Sequence, residues 1–426
     1  MSEAIGTDSE DILLTELSNG LRVVTERMDS VRSVTMGCWV GVGSRDEAEQ
    51  HAGSSHFLEH LLFKGSDTWS TRDISVAVDG VGGDMNAFTS REYTAYSFRV
   101  PHTAVDLAAE LLGEVVSRPA LNAEDLESER LVIHEELTMA EDTPDDLVHM
   151  ELQRSLFPDH PLGEEVLGTS ESISAMDAET VREFHQHWYR PANMVIAAAG
   201  MVDHDRLVDA MASAFGELDG GERPQRSAPS DDVRATYSVR KPVEQTHVAL
   251  GWRGFGLADD RRYALSLANQ ILGGGLSSRL FHEIRERRGL AYSVFSNAAS
   301  YSDAGIFTMY AGTSPEKADE LLAVIDAEIA EVVAEGFTAD ELATAKGGVA
   351  GATMIGLEDS SSRMGRLGSN ILLFDRVKEI DEAVAAIQRV ELDELNDVAR
   401  QVFSAERCLS VVGPGGSTGE EFAFGN

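Results

Sequence analysis

The sequence predicts an α+β protein built from two duplicated units, each a mostly antiparallel sheet with helices packed on it. Two observations favour this class. Both halves of the chain open with apolar strand patterns that lead into a helix, and both end in a short apolar strand followed by glycine. Between the halves lies a stretch rich in Gly, Pro and Ser without periodicity, which is typical of a linker.

These features divide the 426-residue chain into four segments. They are an N-terminal domain at residues 1–216, a linker at 217–233, a C-terminal domain at 234–412 and a flexible tail at 413–426. Each domain, at roughly 200 residues, has a typical size for an independently folded unit.

The predicted elements follow in chain order, and apolar periodicity identifies each of them. In the first half they are strands at Leu21–Glu26 and Val34–Gly43, a helix near Ser54–Lys64, hairpin strands at Met85–Thr89 and Tyr93–Val100, a long helix near Asn122–Ala140 and a strand at Met194–Ala199. In the second half they are a strand at His247–Trp252, a helix near Arg261–Leu272 and a strand at Leu409–Val412. The similar order in the two halves is the basis for the predicted duplication.

The charge balance excludes one class of function. The chain has 73 Asp and Glu against 35 Lys and Arg, a formal net charge of −38. Because nucleic-acid binding needs a basic face, we expect no nucleic-acid partner. The acidity either attracts basic peptides or only solvates the surface. With 42% hydrophobic and 25% charged residues, the composition is that of a folded protein.

Cellular location and redox state also follow from the sequence. No apolar run reaches the length that a membrane-spanning helix needs, and the acidic start lacks the basic and apolar regions of a secretory signal. We therefore expect a cytoplasmic protein with no membrane partner. The two cysteines, Cys38 and Cys408, lie in apolar strand-like runs, so we interpret them as core residues rather than a disulfide framework.

A motif on the first predicted helix has the spacing of a metal site. His56 and His60 stand one helical turn apart, so both imidazoles project from one face and can reach a single ion. Glu59 lies on nearly the same face. This H-x-x-E-H order inverts the more common H-E-x-x-H zinc motif. The alternative is a pair of surface histidines, which the flanking leucines disfavour because they bury the helix.

Zinc needs a third protein ligand and a fourth position open to water. The long helix near Asn122–Ala140 offers Glu129 and Glu136, which are two helical turns apart and share a face. His134 and Glu135 lie beside them in sequence. The pattern alone does not choose among these four side chains, and the simplest alternative for each is a solvated helix charge.

The residues resemble the pitrilysin/insulinase peptidases, and within them the mitochondrial-processing-peptidase-like branch, whose chains have about this length. The matching stretches are Gly53–Gly65, Gly83–Thr94, Glu129–Glu136 and, in the second half, Arg285–Val294. These motifs stand in the family's order and, with the two-half layout, extend the resemblance over nearly the whole chain. The resemblance implies a processing-peptidase-like metallohydrolase fold, with zinc in the N-terminal domain and substrate contacts in the C-terminal domain.

The resemblance also implies roles at the metal site. It assigns His56, His60 and Glu136 as ligands of one zinc ion per chain and Glu59 as the general base. Glu129 supports the site from behind the ligands and is counted with the catalytic residues. In the implied chemistry, Glu59 takes a proton from a zinc-activated water and passes it to the leaving amine of a peptide.

Four further residues are implied for the peptide substrate. Asn86 contacts the peptide and Ala87 lines a strand edge, where an extended peptide can add as another strand. Arg285 and Tyr292 contact the bound peptide, and Tyr292 is the expected donor to the tetrahedral oxyanion. On pattern alone, the first segment is an ordinary hairpin and the second an ordinary basic surface run.

Relatives in this family build a closed chamber from four such units. Because this chain carries both the zinc motif and the Arg285–Tyr292 pair, we expect a homodimer in which that pair completes the partner's zinc site, with a heterodimer as the alternative. The expected function is a zinc endopeptidase that cleaves short or unfolded peptides. The competing hypothesis is a non-catalytic scaffold, or one subunit of a heterodimeric peptidase. The compact segment Gly273–Arg279 disfavours the scaffold, because the family's non-catalytic processing subunits carry a glycine-rich insertion.

Overall fold

The computed structural model describes residues 3–5, 11–234 and 236–415. Its strands are β1 Glu3–Ile5, β2 Ile12–Glu16, β3 Arg22–Arg27, β4 Ser33–Val40, β5 Asp84–Thr89, β6 Thr94–Pro101, β7 Met194–Gly200, β8 Thr236–Arg240, β9 Thr246–Gly254, β10 Ala291–Ser300, β11 Gly305–Thr313 and β12 Cys408–Gly413. Most of the predicted tail, from residue 416 onward, lies outside the described residues.

The α-helices of the described residues account for most of the remaining regular structure. They are α1 Ser54–Leu62, α2 Thr71–Gly80, α3 Val105–Ser117, α4 Ala123–Asp142, α5 Pro144–Leu156, α6 Ser170–Ala175, α7 Ala178–Trp188, α8 His204–Phe215, α9 Arg261–Leu272, α10 Ala318–Glu335, α11 Ala339–Gly356, α12 Ser360–Phe374, α13 Ile380–Arg389 and α14 Leu392–Phe403. Every strand and helix predicted from periodicity is present, with ends that shift by a few residues.

Two separate sheets confirm the predicted α+β class. The larger sheet has the order β1-β2-β3-β7-β4-β6-β5, and the smaller has the order β10-β11-β9-β12-β8. In each sheet one neighbouring pair is parallel, β3 with β7 and β12 with β8, and the other pairs are antiparallel. Five strands of the larger sheet therefore repeat the order and directions of the smaller sheet, as a duplicated unit requires.

The chain forms two compact units whose limits differ from the predicted domain limits. Unit 1 comprises Met1–Leu137, Glu165–Arg226 and Met354–Glu379, and unit 2 comprises Thr138–Glu164, Ser227–Thr353 and Ile380–Asn426. The change at residues 226 and 227 falls inside the predicted linker. However, α5 belongs to unit 2 and α12 belongs to unit 1, so each half of the chain contributes one helix to the other half's unit.

The exchanged helices cover the second face of each sheet. In unit 2, Leu152 and Leu156 of α5 pack directly over Gly251 of β9, where even a Cβ would lie 2.9 Å from Leu156. In unit 1, α12 packs on β3, β4 and β7, and Trp39 of β4 donates its indole N–H to Met364 at 3.4 Å. The apolar face of a helix indicates that the helix packs on a core, but it does not indicate which sheet it covers. The limits predicted from sequence order are therefore continuous segments, whereas each unit consists of three separate segments.

Strand β4 is buried on both of its faces. The predicted alternating face, including Val34, Met36 and Val40, is fully buried in the main core of unit 1. The opposite face carries Trp39 into the core under α12. Cys38 and Cys408 are both free and buried, which confirms their interpretation as core residues. None of the described helices combines the length and apolar character that a membrane crossing needs.

Candidate metal centre and active site

Helix α1 begins at a point where only glycine fits. Gly53 precedes it with φ at 91°, and a Cβ there would lie 2.7 Å from the side chain of Ile173 and 2.8 Å from the Leu167 carbonyl oxygen. From this start the helix buries Phe57 and Leu58 completely in the core. Because its apolar face is fixed in this way, the opposite face with the two histidines and Glu59 has a defined orientation.

The two imidazoles of α1 lie next to each other. The ring centroids of His56 and His60 are 4.7 Å apart, at an interplanar angle of 68°. His56 is buried, and burial together with the neighbouring His60 lowers its pKa to about 4. His56 is therefore neutral at physiological pH, which is the form that ligates a metal.

Helix α4 brings a carboxylate to these imidazoles. Leu126, Ile133 and Leu137 bury one side of α4, and Glu136 projects towards α1. The Oε2 atom of Glu136 lies 3.6 Å from Nε2 of His56 and 3.5 Å from Nε2 of His60. These two separations are close to the roughly 3.3–3.6 Å expected between atoms that each lie about 2.0–2.2 Å from one tetrahedral ion, and the three side chains each offer a ligand atom within 4.8 Å of the other two.

The donor set fits a divalent cation for a second reason. Among the residues that the structure describes, nothing donates a hydrogen bond to the buried Oε2 of Glu136, and the buried Nδ1 of His56 likewise has no partner. An unpaired buried oxygen costs free energy, because it has lost its hydrogen bonds to water without replacement. A cation between the three atoms would satisfy this oxygen. The other two side chains considered for the third ligand position lie elsewhere, because His134 contacts Ser174 and Glu135 is exposed.

Glu129 holds the second histidine with its Nε2 atom towards Glu136. The Nδ1–H of His60 donates to Oε2 of Glu129 at 2.8 Å, which leaves Nε2 of His60 facing Glu136. Lys64 lies 2.5 Å from the other oxygen of Glu129. Burial raises the pKa of Glu129, but the hydrogen bonds from Lys64 and His60 outweigh burial, so the net pKa is lowered. Glu129 is thus a buried, ionised acceptor behind His60, as carboxylates are behind metal-ligating histidines.

Thr89 of β5 joins Glu59 to the neighbouring sheet. The Thr89 hydroxyl on β5 donates to Oε2 of Glu59 at 2.7 Å. Burial raises the pKa of Glu59, which is only partly offset by the Thr89 hydrogen bond and by His60. A carboxylate with a raised pKa is suited to accept and return a proton.

The predicted peptide-contacting strand is an edge strand. β5 ends the larger sheet and pairs only with β6 among the described strands. The Ser97 hydroxyl donates to the carbonyl oxygen of Asn86 at 3.3 Å, so this carbonyl faces β6. The next amide, that of Ala87, donates to the Asn86 side-chain Oδ1 at 2.9 Å. The exposed Asn86 amide therefore covers a main-chain donor on this strand.

The second predicted pair lies in unit 2 and is in direct contact. Arg285 is part of the π-helical segment Phe281–Arg287, and Tyr292 follows at the start of β10, the edge strand of the smaller sheet. The Arg285 guanidinium carbon lies 4.2 Å from the centroid of the Tyr292 ring, which is a cation–π arrangement. Tyr292 is 79% exposed, so its hydroxyl is open to a ligand.

Two family models and several individual proteins match this chain. Residues 22–170 match the family model described as insulinase, peptidase family M16, and residues 175–349 match the model described as the peptidase M16 inactive domain. An uncharacterized zinc protease of Streptomyces coelicolor is 42% identical over 409 residues, which cover 94% of this chain and 89% of the relative. The chain belongs to the M16 peptidase family.

Other M16 relatives agree with this assignment. An uncharacterized zinc protease of Bacillus subtilis is 36% identical over 399 residues, covering 94% of this chain and 97% of that protein. The crystal structure of a protease from Helicobacter pylori superposes with a TM-score of 0.87 at 23% identity, covering 97% of this chain and 99% of that one. The predicted M16 membership and fold are confirmed, and the mitochondrial-processing-peptidase-like branch stays a prediction.

Sequence reasoning missed two residues of this M16 site. Thr89, which contacts Glu59, lies in the stretch Gly83–Thr94, but the resemblance gives it no role. Lys64, which contacts Glu129, lies two residues beyond the end of α1 at Leu62. Neither contact is readable from a motif, because each joins residues that are distant in sequence.

Proposed function

We propose that this protein is a zinc-dependent endopeptidase that cleaves short or unfolded peptides, with one zinc ion per chain held by His56, His60 and Glu136. The observation that carries the proposal is the convergence of these ligand atoms around the buried, unpartnered Oε2 of Glu136. Relatives named zinc proteases, which match over more than nine-tenths of this chain, support the choice of metal.

The chain's own residues provide the proton transfers. A zinc ion, when bound, supplies Lewis-acid chemistry that acidifies water and polarises a peptide carbonyl. Glu59, whose pKa is raised by burial, accepts the proton of the attacking water and returns it to the leaving amine. Thr89 holds the Glu59 carboxylate in place, and Glu129 keeps His60 in the tautomer that presents Nε2.

The peptide adds to β5 as an extended strand in this proposal. An edge strand offers main-chain hydrogen bonds that depend little on side-chain identity, which suits varied peptides. The Asn86 side chain now occupies the Ala87 amide, so it must rotate away as the peptide carbonyl takes its place. Asn86 then remains beside the peptide as a side-chain contact. Thr89, on the same strand, connects this edge to the general base.

The oxyanion donor comes from a second subunit in this proposal. Tyr292 donates its hydroxyl to the tetrahedral oxyanion and Arg285 holds the tyrosine ring and the peptide. Two chains form a closed chamber, as the mitochondrial-processing-peptidase-like branch implies, and each chain completes the zinc site of its partner. The chamber restricts substrates to peptides that are short or unfolded.

Cleavage of a quenched fluorescent peptide tests the activity. Wild type should cleave it, a chelator should abolish cleavage, and Glu59→Gln should reduce kcat by about 10²- to 10⁴-fold while still binding zinc. Glu135→Gln is the matched control, because Glu135 is exposed on α4, and it should cleave at the wild-type rate. Equal turnover by wild type and Glu59→Gln would contradict the proposal.

Subunit mixing tests the shared site. A mixed dimer of Glu59→Gln and Tyr292→Phe chains contains one intact site, so random mixing of the two inactive proteins should restore about a quarter of wild-type sites. Native mass spectrometry should show the mixed dimer. No recovery in a verified mixed dimer would contradict the completion of each site by the partner subunit. If the protein is monomeric, or is active only with a different partner chain, the homodimer is wrong.

A further inference from the structure

A carboxylate outside the zinc motif contacts the start of the metal-binding helix. Glu47 lies in the loop between β4 and α1, nine residues before His56. Its Oε2 accepts the Gly53 N–H at 2.6 Å and its Oε1 accepts the Ser55 N–H at 2.6 Å. One carboxylate thus holds two backbone amides at the start of α1 with two short hydrogen bonds.

These amides have no other way to be satisfied within the helix. The first amides of an α-helix lack an intrahelical acceptor, and a serine, threonine or aspartate at the N-cap usually accepts one of them. Here the N-cap is Gly53, which has no side chain. Glu47 takes over the role of the cap from a distant position. The backbone dipoles at this helix end favour an anion, whereas burial raises the pKa of the Glu47 carboxyl to about 7.

The geometry of this first turn determines where one ligand lies. His56 directly follows Ser55, whose amide Glu47 holds. A helix of nine residues has no length to spare, because fraying of its first turn would move His56 away from Glu136. His60 lies one turn further on and has its own support from Glu129. The two histidines therefore depend on two different carboxylates, Glu47 and Glu129.

The loop that carries Glu47 is itself firmly fixed in unit 1. The neighbouring Asp46 receives two hydrogen bonds from Arg226, both 2.8 Å long. The backbone amide of Arg45 donates to the Arg91 carbonyl oxygen at 2.9 Å, and the Arg45 guanidinium donates to the Glu92 carboxylate at 2.6 Å. Because ion pairs with little exposure to solvent hold Arg45 and Asp46, the two residues before Glu47, the Glu47 carboxylate contacts α1 from a fixed position.

We propose that Glu47 is a positioning residue for the metal: it clamps the first turn of α1 so that the His56 imidazole is held ready to ligate. The proposal rests on the proposed zinc site. In this proposal Glu47 contacts neither the metal nor the substrate. Loss of its two hydrogen bonds to α1 should lower the zinc affinity more than it lowers the stability of the fold.

The test is metal affinity measured by competition with a chromogenic chelator. Glu47→Gln keeps the size of the side chain but turns one acceptor into an N–H₂ group, which cannot accept from an amide. We expect zinc affinity to fall by about 10- to 100-fold, as for other residues that orient metal ligands. Asp203→Ala is the matched control, because Asp203 caps α8 of the same unit by accepting the Arg206 amide at 3.0 Å and alanine removes this cap.

The outcomes separate the two proposals. Asp203→Ala should bind zinc as wild type does, although both variants lower the Tm of the metal-free protein. If Glu47→Gln lowers the Tm as the control does but binds zinc with wild-type affinity, Glu47 is only a helix cap and the inference is overturned. Wild type that binds no zinc would instead overturn the proposed function. Should Glu47→Gln fail to fold, Glu47→Asp, which retains the charge on a shorter side chain, should show the same loss of affinity.

Discussion

Units 1 and 2 repeat one arrangement of strands but differ in chemistry. In both, the same five-strand order ends in an exposed edge, β5 in one sheet and β10 in the other. Helices α4 and α11 are corresponding elements, and both begin with alanine, two acidic residues and a buried leucine, Leu126 or Leu342. Counted from these starts, Glu129 corresponds to Ala345 and Glu136 to Ala352.

This difference shows which residues the fold needs and which the chemistry needs. The buried leucine recurs because each helix must pack on its own core, whereas the glutamates occur in α4 and alanines replace them in α11. Among the described residues, His56, His60 and Glu136 are the one group close enough to share an ion. Unit 2 keeps the framework and offers Arg285 and Tyr292 at its strand edge instead.

The largest effect is expected from Glu136→Ala, which makes α4 resemble α11 at the ligand position. Loss of one of three ligand atoms should weaken zinc binding by more than the roughly 10- to 100-fold that changes behind a ligand cause. Peptide cleavage should fall to background. Chelator competition and the quenched-peptide assay measure the two effects.

Ala352→Ser is the control for Glu136→Ala, since it changes the corresponding residue of α11. It should leave both zinc affinity and cleavage unchanged. Zinc binding by Glu136→Ala at wild-type affinity would show that the carboxylate is not a ligand.

An intermediate effect is expected from Glu129→Ala, the second difference between α4 and α11. This change leaves the His60 Nδ1–H and the Lys64 ammonium without their acceptor. Zinc affinity should fall by about 10- to 100-fold. Glu135→Ala, at an exposed position of the same helix, should have no effect on affinity. Equal affinities of the two variants would mean that Glu129 does not orient His60.

The smallest effect concerns the exchanged helix of unit 1. A Cβ at Gly368 of α12 would lie 2.2 Å from the Trp39 indole nitrogen, whereas a Cβ at Gly365 would lie 3.9 Å from the same ring. Gly368→Ala should therefore destabilise unit 1 by about 1–3 kcal/mol through overpacking. Gly365→Ala should be neutral or stabilise it by up to about 1 kcal/mol, because alanine favours helix.

Thermal unfolding of the two variants decides this point. A lower Tm for Gly368→Ala and an unchanged or higher Tm for Gly365→Ala would support close packing of α12 on β4. The opposite order would mean that α12 does not lie against Trp39.

The sequence predicted the strands, the helix α1 with its two histidines and the long helix α4, because the apolar periodicity of each follows from which of its residues are buried. It left four candidates on α4, and the structure brings Glu136 to both histidines. It did not predict that α5 and α12 exchange units, since an amphipathic helix does not encode which sheet it covers. Glu47 was also missed, because its contact with Ser55 depends on a loop conformation and not on a helical spacing.

The central claim is that three side chains of unit 1 bind one zinc ion. X-ray diffraction from zinc-loaded crystals, recorded on either side of the zinc absorption edge, tests it most directly. We predict one strong anomalous peak per chain, about 2.0–2.2 Å from Nε2 of His56, Nε2 of His60 and a carboxylate oxygen of Glu136. Zinc-loaded crystals with no peak between these atoms, or with the peak at other residues, would contradict the account.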